Sequence, residues 1–151
     1  MVKVPYFNLV DQNNSSFSSD NLNGQWSLIY FYPKDGTPLC IKEACNFRDG
    51  YSELQIAGLN IYGISADSPE SHLNFAKQFG LKFKLLSDPD REVLTAFGSV
   101  DNDEYLGVSR DSYLINPDGE IVKKYTKINP DTHYSQIIKD FDVIKQSTQN
   151  E

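Results

Sequence analysis

Two cysteines, Cys40 and Cys45, are the residues of this 151-residue chain with the most specific chemistry. A cysteine thiolate is a nucleophile and a metal ligand, and two thiols can be oxidised to a disulfide. In a chain of this size without a visible secretory signal, such a pair is more typical of a catalytic or metal-binding site than of a structural disulfide. A free cysteine is also commonly a small buried apolar side chain, so its position has to decide between these uses.

The segment before Cys40 predicts a strand that leads directly into a helix. Residues 28–32 are a continuous run of β-forming side chains, typical of a buried central strand, and Pro33 ends it. After a turn, Thr37 and Pro38 are the residue types expected at a helix N-cap and first helical position. Cys40 then lies in the first helical turn, where free backbone N–H groups and the helix dipole stabilise a thiolate. This position favours a nucleophile, while packing of Cys40 in the core is an interpretation that these residues leave open.

The spacing of the two cysteines restricts how they can react with each other. In a regular helix, residues five apart are turned by about 140° and their Cα atoms lie roughly 8–9 Å apart. A disulfide requires Cα atoms closer than about 7 Å. If Cys40 and Cys45 form a disulfide, the first turns of this helix must unwind, and otherwise Cys45 is a bystander on the helix flank.

The rest of the chain alternates strands with helices. Further strands are predicted at residues 59–65 and 84–86, followed by a hairpin over residues 111–126, and the Ser- and Asn-rich residues 11–23 are expected to be a turn and connector. The order predicts an α/β fold, a single domain over residues 1–151 in which helices flank a mixed central β-sheet. A site is expected beyond the carboxyl end of a strand, which is where Cys40 lies. Apolar spacing and capping residues predict four helices. They run from Thr37 to Gly58 without a break, from Ser68 to Gly80, from Asp88 to Gly98, and from Asp131 to Lys145. A loose tail is expected from about Gln146.

The residues around both cysteines resemble the active-site segment of peroxiredoxins, in the bacterioferritin comigratory protein or peroxiredoxin Q subgroup. Residues 31–40 contain the pattern Pro-x-x-x-Thr-x-x-Cys, and residues 42–49 contain the second cysteine. The likeness continues through residues 83–90, 107–110 and 113–119, so it covers nearly the whole chain. It implies a thioredoxin-like fold and a thiol-dependent peroxidase that reduces hydrogen peroxide and organic hydroperoxides. No cofactor is implied, because sulfur supplies the redox chemistry.

The resemblance also implies roles for individual residues. Cys40 matches the peroxidatic cysteine, which becomes a sulfenic acid, and Cys45 matches the resolving cysteine, which condenses with it. Thr37 matches the hydroxyl that hydrogen-bonds the peroxide and the thiolate. Arg110 matches the arginine that stabilises charge on the leaving oxygen.

Two further positions match residues that shape the site. Pro33 matches the residue that shields the pocket, and Glu43 matches the carboxylate that orients the arginine. Without the resemblance, Arg110 is more simply interpreted as a partner of Asp111 or Asp103 in a surface salt bridge.

Several readings of the reaction remain open at this point. The resemblance implies that thioredoxin or a similar dithiol reduces the disulfide, and that the protein is a monomer. A one-cysteine peroxidase with an external thiol would leave Cys45 idle, and a peroxide-sensing switch would oxidise once and signal to a partner. A thioredoxin-type disulfide exchanger fits less well, because the Cys-x-x-Cys motif is absent.

Leu39 and Lys84 depart from the family pattern, which usually has Gly and often Pro at these positions. We hypothesise that Leu39, with Ile41 behind it, makes the mouth of the site more apolar and favours organic hydroperoxides over hydrogen peroxide. A leucine would also stiffen the segment that has to unwind.

Composition and the histidines restrict the remaining function classes. The formal net charge of −7, without a cluster of Lys or Arg, argues against nucleic acid and anionic membranes as partners. The longest apolar run is far too short to span a bilayer, so a cytoplasmic protein is expected. His72 and His133 share no short ligand spacing with each other or with the cysteines, so we expect solvated histidines near helix ends and no metal.

Overall fold

The computed structural model describes residues 2–149, with side chains as far as residue 147. Within this range, no helix is both long enough and apolar enough to cross a membrane. The helices are α1 (Pro38–Asp49), α2 (Tyr51–Ala57), α3 (Pro69–Phe79), α4 (Glu92–Phe97) and α5 (His133–Gln149), with short 3₁₀ turns at Ser19–Leu22 and Tyr105–Gly107. The strands are β1 (Val2–Lys3), β2 (Asn8–Val10), β3 (Ser16–Ser18), β4 (Trp26–Phe31), β5 (Leu59–Ser65), β6 (Lys84–Ser87), β7 (Ser112–Ile115) and β8 (Glu120–Tyr125).

The strands form one eight-stranded mixed sheet in the order β1-β8-β7-β4-β5-β6-β2-β3. The central strands β4, β5 and β6 are parallel, and the outer pairs are antiparallel. Parallel neighbours need crossover connections, which α1 with α2 and then α3 supply. The predicted mixed sheet and closing hairpin are confirmed.

Side chains of β4 alternate between the two faces of the sheet, as the two-residue period of a strand requires. Leu28, Tyr30 and Tyr32 belong to a buried cluster that also holds apolar residues of α1, α2, α3 and α5. Ile29 and Phe31 belong to a second cluster, formed with α4 and the N-terminal segments. Tyr30 and Tyr32 therefore lie on the same face of the sheet as the helix that carries both cysteines.

The predicted single helix from Thr37 to Gly58 is wrong, because it is broken at Gly50 into α1 and α2. Gly50 has φ −92° and ψ 6°, which is outside the helical well. A Cβ atom at Gly50 would lie 2.1 Å from the ring of Tyr134 in α5, so a larger residue at this position would require the ring to move. The predicted tail from Gln146 is also wrong as far as Gln149, since α5 continues to that residue; residues 150 and 151 lie outside the described range.

Two other boundaries differ from the prediction. The helix expected from Asp88 begins at Glu92, and the Asp88 carboxylate instead accepts the N–H groups of Val93 and Leu94. Residues 11–23 are more than a connector, because they contain β3 and a 3₁₀ turn. Lys84, one of the two departures from the family pattern, pairs at 2.8 Å with the buried Asp11 carboxylate at the start of this segment.

Candidate active site

The first turn of α1 forms as the sequence predicts. Thr37 is the N-cap with extended backbone angles, Pro38 is the first helical residue, and Cys40 follows two positions later. Cys40 is a free thiol with a relative exposure of 1%. Because the strand β4 ends at Phe31, the cysteine lies beyond the carboxyl end of a central parallel strand, as expected for a site in this fold class.

The buried face of α1 is not wholly apolar. Cys40, Glu43, Ala44 and Phe47 are buried, at the spacings of three and four that define one helix face. Cys45 lies on the flank of this face, is half-buried and is also a free thiol. Since α1 is regular over both positions, the two cysteines cannot bond without local unwinding.

Thr37 and Pro33 lie where the loop before α1 crosses the site. The Thr37 hydroxyl makes no capping bond to the helix and donates instead to the Lys34 carbonyl at 2.9 Å. A hydroxyl has one donor and two acceptor positions, so the lone pairs of Thr37 remain free for another donor. Pro33 is buried directly after β4.

Arg110 reaches the carboxyl end of β4 because β7 pairs with that strand. The Phe31 N–H donates to the Asp111 carbonyl at 3.0 Å, which places Arg110 beside the end of β4. The Asp111 carboxylate accepts the hydroxyls of Ser99 and Ser109 at 2.7 and 2.6 Å and so fixes this loop. The position of Arg110 is thus set by the sheet rather than by its own side chain.

Arg110 makes no ion pair among residues 2–147, so the alternative of a surface salt bridge with Asp111 or Asp103 is wrong. Its Nη1 atom is buried and has no hydrogen-bond partner within the described part of the chain. The same holds for both carboxyl oxygens of Glu43 and for the hydroxyl of Tyr30. Such groups are rare in folded proteins, and one of them, Glu43, lies on the same buried helix face as Cys40. Together they indicate a site for a polar ligand.

Electrostatic coupling shows that these groups share one region. Burial raises the pKa of Glu43 to about 8, although the positive charge of Arg110 acts in the opposite direction. Burial, and then the charges of Glu43 and Cys40, raise the pKa of Tyr30 well above its ordinary value. At neutral pH the Glu43 carboxyl is therefore largely protonated and can donate a hydrogen bond.

Tyr30 is a candidate site residue that the sequence interpretation missed, since residues 28–32 were expected only to form a buried central strand. The available signal was the alternation of β4, which places Tyr30 on the face covered by α1. Its ring also packs against the backbone of Gly63 in β5, where a Cβ atom would lie 2.9 Å from the ring.

The expectation of solvated histidines is wrong, because His72 and His133 are both buried. His133 Nε2 lies 2.8 Å from the Ser112 hydroxyl, and burial lowers the pKa of this imidazole to about 4. His72 contacts Asp35, and possible ligand atoms of Asp35, Asp67 and His72 lie within 4.8 Å of one another. These three residues could hold a cation by distance, but protein hydrogen bonds already occupy their facing atoms.

Comparison with known proteins gives a consistent result. The model of the AhpC/TSA family matches residues 2–124. A putative peroxiredoxin of Coxiella burnetii is 40% identical over 141 residues, which cover 90% of this chain and 93% of the relative.

Solved structures extend the likeness to three dimensions. Peroxiredoxin Q of Xanthomonas campestris is 31% identical and superposes with a TM-score of 0.86 over 91% of this chain and 90% of that one. The bacterioferritin comigratory protein of the same organism, whose alkyl peroxide reduction activity was studied in trapped complexes, is 30% identical with a TM-score of 0.86 over the same shares. The thioredoxin-like fold predicted from the resemblance is confirmed.

The raised pKa of Glu43 predicts how stability changes with pH. Between pH 4.5, the ordinary value, and about 8, the folded protein keeps a proton that the unfolded chain loses, so this group makes folding less favourable as pH rises. The slope is at most about 1.4 kcal/mol per pH unit. Glu43→Gln removes this contribution, so in urea unfolding at pH 5 to 8 the variant should gain stability relative to wild type as pH rises.

The exposed Glu70 offers a matched control for this measurement. Glu70→Gln should keep a nearly constant offset from wild type across the same pH range, because its carboxyl lies in solvent. A pH-independent offset for Glu43→Gln as well would show that the buried carboxyl does not hold the extra proton.

Proposed function

The chain belongs to the AhpC/TSA family, and from this premise we propose that it reduces hydroperoxides through a sulfenic acid formed at Cys40. Membership implies a thiol peroxidase with a peroxide substrate and a thiol reductant. One feature above all supports the assignment to Cys40: this thiol shares the buried face of α1 with Glu43, whose carboxyl is coupled to Arg110 and Tyr30, and all three residues carry buried polar atoms without a hydrogen-bond partner among the described residues.

In the first step the Cys40 thiolate attacks the terminal oxygen of R–O–O–H. The S–O bond forms as the O–O bond breaks, the sulfur becomes S–OH, and RO⁻ leaves and takes a proton to become ROH. Negative charge therefore develops on the departing oxygen. Arg110 is suited to stabilise that charge, because its guanidinium stays ionised and its buried Nη1 has no acceptor among the residues that the structure describes.

Thr37 and Glu43 complete the donors and acceptors around the peroxide. Because the Thr37 hydroxyl donates to the Lys34 carbonyl, its lone pairs can accept the O–H of the peroxide and hold the substrate in line. The charge of Arg110 acts on the Glu43 carboxyl, which would orient the guanidinium through its carbonyl oxygen, an acceptor that the protonated carboxyl keeps. Pro33 would shield the thiolate from water, since it is buried beside this turn.

In the second step Cys45 resolves the oxidised product. Its thiol attacks the sulfenic sulfur of Cys40, a disulfide forms and water leaves. The first turns of α1 unwind to bring the two sulfurs together, because a regular helix keeps their Cα atoms too far apart. A dithiol protein such as thioredoxin would then take up the oxidation by disulfide exchange and restore both thiols. We place the protein in the cytoplasm, since that compartment keeps dithiol reductants available. A monomer is the state that the resemblance to the peroxiredoxin Q subgroup implies.

Organic hydroperoxides are the substrates that the mouth of the site favours. Leu39 is 49% exposed and Ile41 is half-buried, so apolar side chains flank the buried thiol. The alkyl peroxide reduction of the related Xanthomonas campestris protein is consistent with this preference.

The two-step reaction predicts a specific pattern of oxidation. Reduced protein treated with one equivalent of hydrogen peroxide, then alkylated, should lose two hydrogens and yield a peptide in which Cys40 is linked to Cys45. Cys45→Ser should stop at an oxidised Cys40. Cys40→Ser should consume peroxide at least about a hundredfold more slowly, because the remaining thiol, Cys45, lies on the flank of α1 and outside its buried face. The measurement is intact and peptide mass spectrometry after rapid quenching.

The other outcomes of that experiment separate the alternatives. Oxygen added at Cys40 with Cys45 freely alkylated in wild type would indicate resolution by an external thiol. A disulfide that forms once but is not turned over by a thioredoxin system would favour the sensor. No rapid change at either cysteine would contradict a peroxidase.

Leu39 supplies a prediction about substrate choice. Leu39→Gly should lower the ratio of kcat/KM for an alkyl hydroperoxide to that for hydrogen peroxide by roughly fivefold, since partial burial of a leucine contributes on the order of 1 kcal/mol. The ratio cancels any loss of folded enzyme. Leu39→Met, which keeps an apolar side chain, is the control and should leave the ratio within about twofold of wild type. An unchanged ratio in Leu39→Gly would show that Leu39 does not determine the preference between the two substrates.

A further inference from the structure

We propose that His72 and Asp35 form a buried ion pair that positions the turn before α1 and thereby sets how readily α1 unwinds for resolution. The inference rests on the proposed function, because it concerns the step in which Cys45 captures the oxidised Cys40.

The geometry of His72 assigns its charge. Nε2 lies 3.2 Å from the Leu86 carbonyl, and Nδ1 lies 2.7 Å from Asp35 Oδ2. A carbonyl can only accept a hydrogen bond, and an ionised carboxylate can only accept as well. When Asp35 is ionised, both ring nitrogens therefore carry protons, and the imidazolium pairs with Asp35. The side chains are 0% and 6% exposed, so the pair is shielded from solvent and salt.

Asp35 is tied to three elements that meet at the carboxyl edge of the sheet. Its carboxylate accepts the Tyr32 hydroxyl at 2.6 Å, at the end of β4, and the Ser71 hydroxyl at 2.9 Å, in α3. Its N–H donates to the Asp67 carboxylate at 2.8 Å, in the loop after β5. The charged and titratable groups facing His72 are thus Asp35, Asp67 and Tyr32, while β6 contributes the Leu86 carbonyl.

Asp35 lies inside the turn that precedes α1. The turn runs from Lys34 to Thr37, whose hydroxyl bonds back to the Lys34 carbonyl. Gly36 has φ +81°, the left-handed region that favours glycine. Since Thr37 is the N-cap of α1, fixing Asp35 fixes where the helix starts. Unwinding the first turn must work against these bonds.

The His72–Asp35 pair then affects which of two reactions the oxidised Cys40 undergoes, disulfide formation or further oxidation. Attack by Cys45 on the sulfenic sulfur forms a disulfide and releases water. A second hydroperoxide can instead oxidise the sulfenic acid to a sulfinic acid and leave as its alcohol, or as water from hydrogen peroxide. Because only the unwound state reaches the disulfide, a tighter turn favours the sulfinic acid.

Variants of Asp35 and Ser71 test this role through rates. In rapid-quench mass spectrometry, Asp35→Asn should raise the rate of disulfide formation about tenfold, because the variant loses the equivalent of one charge-assisted hydrogen bond. It should also lower the fraction of Cys40 that becomes sulfinic acid at high peroxide concentration. Ser71→Ala removes one donor to Asp35 and should act in the same direction by a smaller factor. Asp90→Asn, which removes an exposed carboxylate, is the matched control and should leave both rates unchanged.

Nuclear magnetic resonance of ¹⁵N-histidine-labelled wild type tests the pair without any substitution. At neutral pH His72 should show two protonated ring nitrogens, whereas His133 should be neutral, because burial lowers its pKa to about 4.

Three results would count against the proposal. A neutral His72 would overturn the ion pair. Unchanged disulfide rates in Asp35→Asn and Ser71→Ala, with normal disulfide formation in wild type, would overturn its role in unwinding. Faster attack by Cys40 on peroxide in Asp35→Asn, without faster resolution, would show that Asp35 acts only through its charge. A wild type that peroxide does not oxidise would instead contradict the proposed function and, with it, the kinetic role of the pair.

Discussion

One helix carries both reactive sulfurs, and its regularity is the constraint on which the proposed reaction depends. The first turn of α1 presents Cys40 just beyond the carboxyl end of β4. The same helix keeps Cys45 too far away to react. In the proposed reaction, attack on peroxide therefore requires the helix, and resolution by Cys45 requires its loss. The turn of residues 34–37 lies at the boundary between these two states.

The apolar cluster around Cys40 includes polar groups that a purely structural core would not need. Burying an unpaired carboxyl or guanidinium nitrogen costs free energy, typically about 1–3 kcal/mol for each unsatisfied group. Glu43 reduces that cost by taking up a proton, which is why burial raises its pKa to about 8. Arg110 is held in place by the pairing of β7 with β4, independently of any bond from its own side chain. Such preorganised groups are suited to stabilise charge that appears only during reaction.

The strand–turn–helix unit around Cys40 was predictable because its signals are local. A continuous apolar strand, a terminating proline, an N-cap threonine and a proline at the first helical position lie within eleven residues, and the structure has each of them in its predicted place. The packing at the Gly50 break was not predictable in this way, because the residue in contact there, Tyr134, lies 84 residues away. The short strands β1, β2 and β3 were also missed, since two or three residues are too few to show a period.

The burial of the two histidines also could not be predicted from local sequence. His72 and His133 both lie close to helix starts, and position alone suggested solvent. Their burial depends on contacts with Asp35 and Ser112 that come from distant segments. The roles of Cys40, Cys45, Thr37 and Arg110 came from a motif, and the structure adds what a motif lacks: which atoms already have partners.

Hydrogen–deuterium exchange of the reduced and the peroxide-oxidised protein tests the central claim most directly. Peptides covering residues 37–49 report on α1, and peptides covering residues 59–65 of β5 serve as the internal reference. The account predicts that formation of the Cys40–Cys45 disulfide removes protection from the first turns of α1 by at least about tenfold, while β5 stays unchanged and oxidised Cys45→Ser keeps α1 protected. A disulfide-linked protein whose α1 amides remain as protected as in the reduced form would contradict it.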